Sequence, residues 1–341
     1  MYSRPKKVAV LYSALAVLLL LFFVADILLG SEAISPRELW NVFRYGENSP
    51  LWHIIFGYRL SKAVVAVIVG VSLSVSGLQM QTVFRNPLAD PYILGVSSGA
   101  GLGVALLLMG CSLFGGVAAG AFLPSMGYAL AACIGAAGVM LVMLLISVRV
   151  RDIMAMLILG MMIGSAASAL ISVLQYFSRE TMLKSYVLWT MGNLGNVTTA
   201  QLYVMLVIVL IGGVFALLSI KTLNALMLGE AYARSIGYGA RRHRTFIMLT
   251  STILTGTVTA FCGPIGFIGV AVPHVARMLV CEADHRYLMP TTMLLGAVVM
   301  LLCDIVSQLP GYDTSLPINT VTALLGIPIV VIVIIRNQKI V

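Results

Sequence analysis

Charge is scarce in this chain. Asp, Glu, Lys and Arg supply 10% of its 341 residues, against 60% hydrophobic residues and a mean hydropathy of +1.04. A soluble domain carries about 25% charged residues, so a soluble fold is excluded and the chain reads as an integral membrane protein. Short segments of alternating polarity, which a transmembrane barrel needs, are absent too. No G-x-x-x-x-G-K-[ST] loop exists to cradle ATP. There is no H-E-x-x-H and no Cys/His cluster, so nothing supports a membrane metalloprotease. "GAGLG" at 99–103 lacks the strand that a dinucleotide loop requires. The five cysteines, Cys111, Cys133, Cys262, Cys281 and Cys303, have no paired spacing and read as small buried hydrophobes. No cofactor, metal or catalytic constellation is implied. Carboxylates are also missing from the middles of the apolar runs. Asp26, Asp90, Asp152 and Asp304 fall near their ends. A proton or sodium site needs such groups within the membrane, which disfavours a self-powered secondary transporter or channel.

What is present is a series of apolar runs of about 20 residues, each long enough to cross a bilayer. Ten are expected, at about 8–30, 62–82, 92–110, 127–147, 153–176, 199–219, 246–262, 265–280, 288–306 and 317–335. The fold class is therefore all-α. The first run follows Arg4, Lys6 and Lys7, is too long for a signal peptide and lacks a cleavage site, so it reads as an uncleaved helix. With the N-terminus inside, fifteen of the 21 Lys and Arg residues fall on the inner side. The outer six are Arg37, Arg44, Arg59, Lys62, Arg179 and Lys184. The positive-inside rule favours this orientation, with both termini cytoplasmic. The net charge of +9 is then a matter of topology and lipid contact, not of nucleic acid. No soluble domain fits anywhere, so residues 1–341 form a single transmembrane domain.

Four motifs interrupt the apolar pattern. "QTVFRNPLADPYILGVSSGAGLG" spans residues 81–103. Pro87 and Pro91 lack N–H groups and push the residues before them out of helix. Asn86 and Asp90 can cap the neighbouring turns. Non-helical backbone near a membrane survives only where protein or a water-filled cavity satisfies it, so the segment is either a plain turn or part of a path. Gly95, Gly99 and Gly103 recur every four residues, a pattern that permits close helix packing, and Gly160 and Gly164 repeat it. "GPIGFIGVAVPHVARML" at 263–279 carries two helix-disturbing prolines and His274, which reads as a packing residue, with a ligand or proton relay the alternative. "LGEAYARSIGYGARRHR" at 228–244 suits a short helix over Ala231, Ala233, Ser235 and Ile236, ended by Gly237 and Gly239 and followed by a basic run. It is long for a connection between packed spans, which a docked cytoplasmic partner would explain.

Taken in order, "QTVFRNPLADPYILGVSSGAGLG", "LGEAYARSIG", "GFIGVAVPHVAR" and "LPINTVTALLGIP" resemble the FecCD-type permeases. These are the membrane subunits of binding-protein-dependent ABC importers for iron-siderophores, haem and cobalamin. The resemblance covers about residues 55–335. It implies the type II ABC-importer permease architecture, with ten helices per subunit and a homodimer around a central path. It also implies two cytoplasmic ATPase subunits, an extracytoplasmic substrate-binding protein and a place in the bacterial inner membrane. By the same resemblance, Asn86 and Leu88 are gate candidates. The coupling loop, at about 220–245, holds Glu230, Ala233, Arg234, Gly237 and Gly239. Arg59 and Lys62 become candidates for docking the binding protein, with interfacial snorkelling the alternative. The span at 153–176, with Met161, Met162, Ser165, Ser168 and Ser172, is a candidate wall of the path. Two positions depart from the family pattern. Ser61 stands where a Pro is usual, and Gln308 stands where an Arg is usual, followed later by Ser315 in place of Glu.

Overall fold

The computed structural model describes residues 4–30, 34–46, 51–110, 126–147, 149–150, 152–235, 237, 239–308 and 315–337. Every regular element among them is helical. In chain order they are α1 (Arg4–Leu28), α2 (Pro36–Tyr45), a π-helical run (His53–Arg59), α3 (Leu60–Phe84), a 3-10 turn (Pro91–Leu94) and α4 (Val96–Ala105). A second π run (Leu106–Gly110) extends α4. Then come α5 (Met126–Ser147), α6 (Ile153–Tyr176), α7 (Glu180–Thr190), α8 (Thr199–Leu218), α9 (Ile220–Met227) and α10 (Glu230–Ser235). The last four are α11 (Ala240–Cys262), α12 (Ile268–Val280), α13 (His285–Ser307) and α14 (Ile318–Asn337).

Seven described helices are long and apolar enough to cross a membrane. They coincide with α1, the π run joined to α3, α5, α6, α8, α11 and α13. Shorter apolar helices at Val96–Gly110, Ile268–Val280 and Ile318–Ile332 occupy the other three expected spans. Turns at Gly95 and Phe267 set the starts of the first two. Phe267 adopts φ 68 at the N-cap of α12, and Gly95 adopts φ 79 before α4. The chain is a multi-pass membrane protein. Three α-helices outside the expected spans were not foreseen. One is α2, opened by a capping box in which Ser35 and Glu38 satisfy each other's backbone N–H groups. The others are α7 and α9.

Contacts divide the chain into two compact units. The first holds residues 1–75, 193–203 and 266–341. Within it α13 is the hub, packed by α1, α12 and α14. Gly70 of α3 lies against the Gly296 carbonyl of α13, and the Ser74 hydroxyl donates to the Thr292 carbonyl at 3.1 Å. Backbones approach this closely only because both crossing residues lack a side chain. The second unit holds residues 76–192 and 204–265. Here α4 packs on α5 and α6, and α11 packs on α5. A Cβ on Gly99 would sit 2.6 Å from the Gly135 carbonyl, so the four-residue glycine spacing of α4 is used for helix packing.

Candidate gate and coupling site

The second unit contains both the 85–95 segment and the 220–245 loop. Helix α3 ends when the Asn86 N–H donates back to the Gln81 carbonyl at 3.2 Å and Arg85 turns to φ 47. Pro87 cannot continue a helix. The Asn86 Oδ1 then accepts the Leu88 N–H at 2.9 Å, closing an Asx turn. Two residues on, the Asp90 carboxylate accepts the Tyr92 N–H at 2.7 Å and caps the 3-10 turn. The Tyr92 hydroxyl accepts from the Ile265 N–H and the Thr259 hydroxyl, at 3.3 and 3.2 Å. Every turn of the segment is thus fixed by a side chain that the sequence supplies. Leu88 is left standing out, 44% exposed. Burial pushes the Asp90 carboxyl up to about 6, against the opposing pull of the Tyr92 N–H.

Helix α6 seats on this segment. Gly160 lies against the Ile93 carbonyl, and Gly164 lies against Ser98. The buried flank of α6 is Gly160, Gly164, Ala167 and Ile171. Met161, Ser165, Ser168 and Ser172, spaced at i, i+4, i+7 and i+11, are all exposed on the other flank, as is Met162. The Ser165, Ser168 and Ser172 hydroxyls donate to the carbonyls of Met161, Gly164 and Ser168, each at 3.0 Å. Their protons are used on the helix, so this face shows hydroxyl oxygens and Met sulfur as weak acceptors.

In the loop, α9 runs to Met227, Gly229 turns at φ 115 and α10 follows. Gly237 has φ 88, as expected of a helix-ending glycine, and Gly239 precedes α11 with ordinary extended backbone. Ile236 and the side chains of Glu230 and Arg234 lie outside the described residues. Ala233 is fully buried, because α10 packs on α9 and on the start of α11. The face offered outward is instead Ala231, Tyr232 and Ser235. It continues into Met227 and Leu228, which are 44% and 67% exposed. That apolar, solvent-facing edge escaped sequence reasoning, although Tyr232 in a basic loop was its available signal.

The first unit holds Arg59 and Lys62. Arg59 is buried, and its Nη1 donates to the carbonyls of Ile27 and Leu28 at 3.0 and 3.2 Å, capping the end of α1. Lys62 pairs with Asp304 at 2.9 Å, with Asp304 only 1% exposed. The Gln308 amide donates to Asp304 at 3.1 Å and to Asp26 at 3.0 Å. Both cations sit among internal acceptors rather than on a free face. Asp26 and Asp304, read separately in the sequence, are brought together here. His274 is buried in α12.

Residues 18–336 match the FecCD transport family. The chain is 36% identical over 327 residues to the hemin transport system permease protein HmuU of Yersinia pestis, covering 95% of each. It is 34% identical over 327 residues to the vitamin B12 import system permease protein BtuC of Escherichia coli O9:H4 (strain HS), covering 95% of this chain and 94% of that one. An inward-facing structure assigned to the metal-chelate type of ABC transporter superposes with a TM-score of 0.82 at 30% identity, over 98% of this chain and all of the other. The chain belongs to the FecCD transport family.

Proposed function

We propose that this chain is the membrane-spanning permease of a binding-protein-dependent ABC importer for a metal chelate such as haem, cobalamin or an iron-siderophore. Family membership supplies the ATPase and substrate-binding partners, and hydrolysis is the ATPase's task, since the chain has no phosphate loop of its own. Two copies face each other as a homodimer in a bacterial inner membrane, termini inward, and two ATPase subunits dock on the inner side. The whole chain acts as one permease domain. Asn86 and Leu88 form the inner gate, and Met161, Ser165, Ser168 and Ser172 line the path. The loop with Glu230, Ala233, Arg234, Gly237 and Gly239 meets the ATPase. Arg59 and Lys62 act in binding-protein docking by holding the outer ends of α1, α3 and α13 in place, which is the role their internal partners support.

The observation that carries the gate is the Asx turn. It fixes the backbone at 86–88 while leaving an apolar side chain exposed at its apex. An apolar constriction closes a pore by dewetting, and two-fold symmetry presents each gate residue twice. The test is Leu88→Cys in a background lacking the five native cysteines. Crosslinking across the dimer should form in one nucleotide state and be lost in another. Absence of crosslinking in every state, with transport normal, would reduce the segment to a turn.

A further inference from the structure

Arg85 is a position where the backbone and the residue type disagree. It sits directly after α3 with φ 47. Beyond a helix end the left-handed conformation is normally given to glycine, because a Cβ there is costly. Strain of this kind persists only where surrounding structure holds it, and it points to a use for the side chain. The use is visible. The Arg85 Nη2 reaches 141 residues along the chain and donates to the Leu226 carbonyl at 3.2 Å. Leu226 lies in the last turn of α9, where a cation is favoured, and its carbonyl also accepts the Gly229 N–H at 3.1 Å. The same Nη2 stands 3.8 Å from the place a Cβ on Gly229 would take, at the hinge into α10.

Arg85 therefore joins two pieces of the second unit. Its backbone opens the 85–88 turn, one residue before Asn86. Its guanidinium holds the end of α9, three residues before α10 begins. We infer that Arg85 is a positioning residue that transmits movement of the coupling segment, through the α9 terminus, to the gate turn. This rests on the gate and coupling readings above. A shift of α10 driven by the ATPase moves the α9 carbonyls, and the guanidinium bonded to them draws on the residue that sets the direction of the turn. The identity of residue 85 thus affects how the gate responds, while the turn itself stays held by Asn86, Asp90 and Tyr92.

The test uses the full complex with its ATPase subunits, in the cysteine-less Leu88→Cys background. The readout is the ratio of crosslinking yields without nucleotide and with a non-hydrolysable ATP analogue. Arg85→Gly suits the left-handed backbone and removes only the side chain, and co-purification of the ATPase confirms assembly. Its ratio should collapse toward one, a loss on the order of fivefold or more relative to the parent, the range of ordinary coupling between sites. Arg85→Lys keeps a cation able to reach a carbonyl and should retain more of the ratio than the glycine variant. Parent-like ratios in both variants would overturn the inference. A parent whose own ratio does not depend on nucleotide would instead sink the gate reading, and this inference with it.

Discussion

Lys62 shows how one residue can carry more weight than its exposure suggests. It neutralises Asp304, which is 1% exposed and shares the Gln308 amide with Asp26. Removing one partner of a buried ion pair leaves an uncompensated charge and costs about 3–5 kcal/mol. Lys62→Met should therefore lower the unfolding temperature of the detergent-purified chain sharply. Adding Asp304→Asn to it should restore part of the loss, because the orphan charge is gone. Strictly additive losses would show that the pair does not act as a unit. Asp90 gives a second expectation. Its folded value of about 6 lies above the ordinary carboxylate value. Between about pH 4 and 6 the folded chain keeps a proton that the unfolded chain gives up. This group's contribution is fully present at the acid end of that window and is lost as pH rises through it. Asp90→Asn should flatten the pH dependence of unfolding over the window by on the order of 1–2 kcal/mol. An unchanged slope would assign that dependence elsewhere.

At the scale of elements, the α4–α5 crossing depends on bare backbone. Gly103 lies against the Ala131 carbonyl, so Gly103→Val has no room and should cost about 1–3 kcal/mol or more by overpacking. Gly138, on the same α5 helix, has open space around it. Gly138→Ala should be neutral or slightly stabilising, since alanine is the better helix former. Comparable losses from the two, read as yield of folded protein, would contradict the packing account. For α10, a substitution at buried Ala233 would disturb the chain's own packing first. Tyr232→Glu, on the exposed face, should lower ATPase association while leaving the unfolding temperature unchanged; an unaltered association would remove this face from docking. The sequence made the long helices legible because hydropathy is a local property, and the Asn-Pro and Asp-Pro steps marked the break after α3 for the same reason. It could not show that Asp26, Asp304, Gln308 and Lys62 meet, nor that Arg85 reaches Leu226, since those contacts bridge up to 282 residues. The short helices α2, α7 and α9 lay outside the apolar runs that organised the reading. Ala233 and its neighbours were placed on the right helix, but which of them faced outward depended on how α10 sits on α9 and α11.

Over the whole molecule, a run of apolar helices, a turn at 85–95 fixed by side chains and a short loop helix make up a permease of a family whose members work with a partner ATPase. The central claim is that a separate ATPase drives it. The direct measurement is uptake of haemin and of cyanocobalamin into proteoliposomes holding this chain, with and without the ATPase subunits, in the presence of the binding protein and ATP. Uptake should require the ATPase and ATP and cease when either is omitted. Uptake by the chain alone at the same rate, driven by an ion gradient, would contradict it.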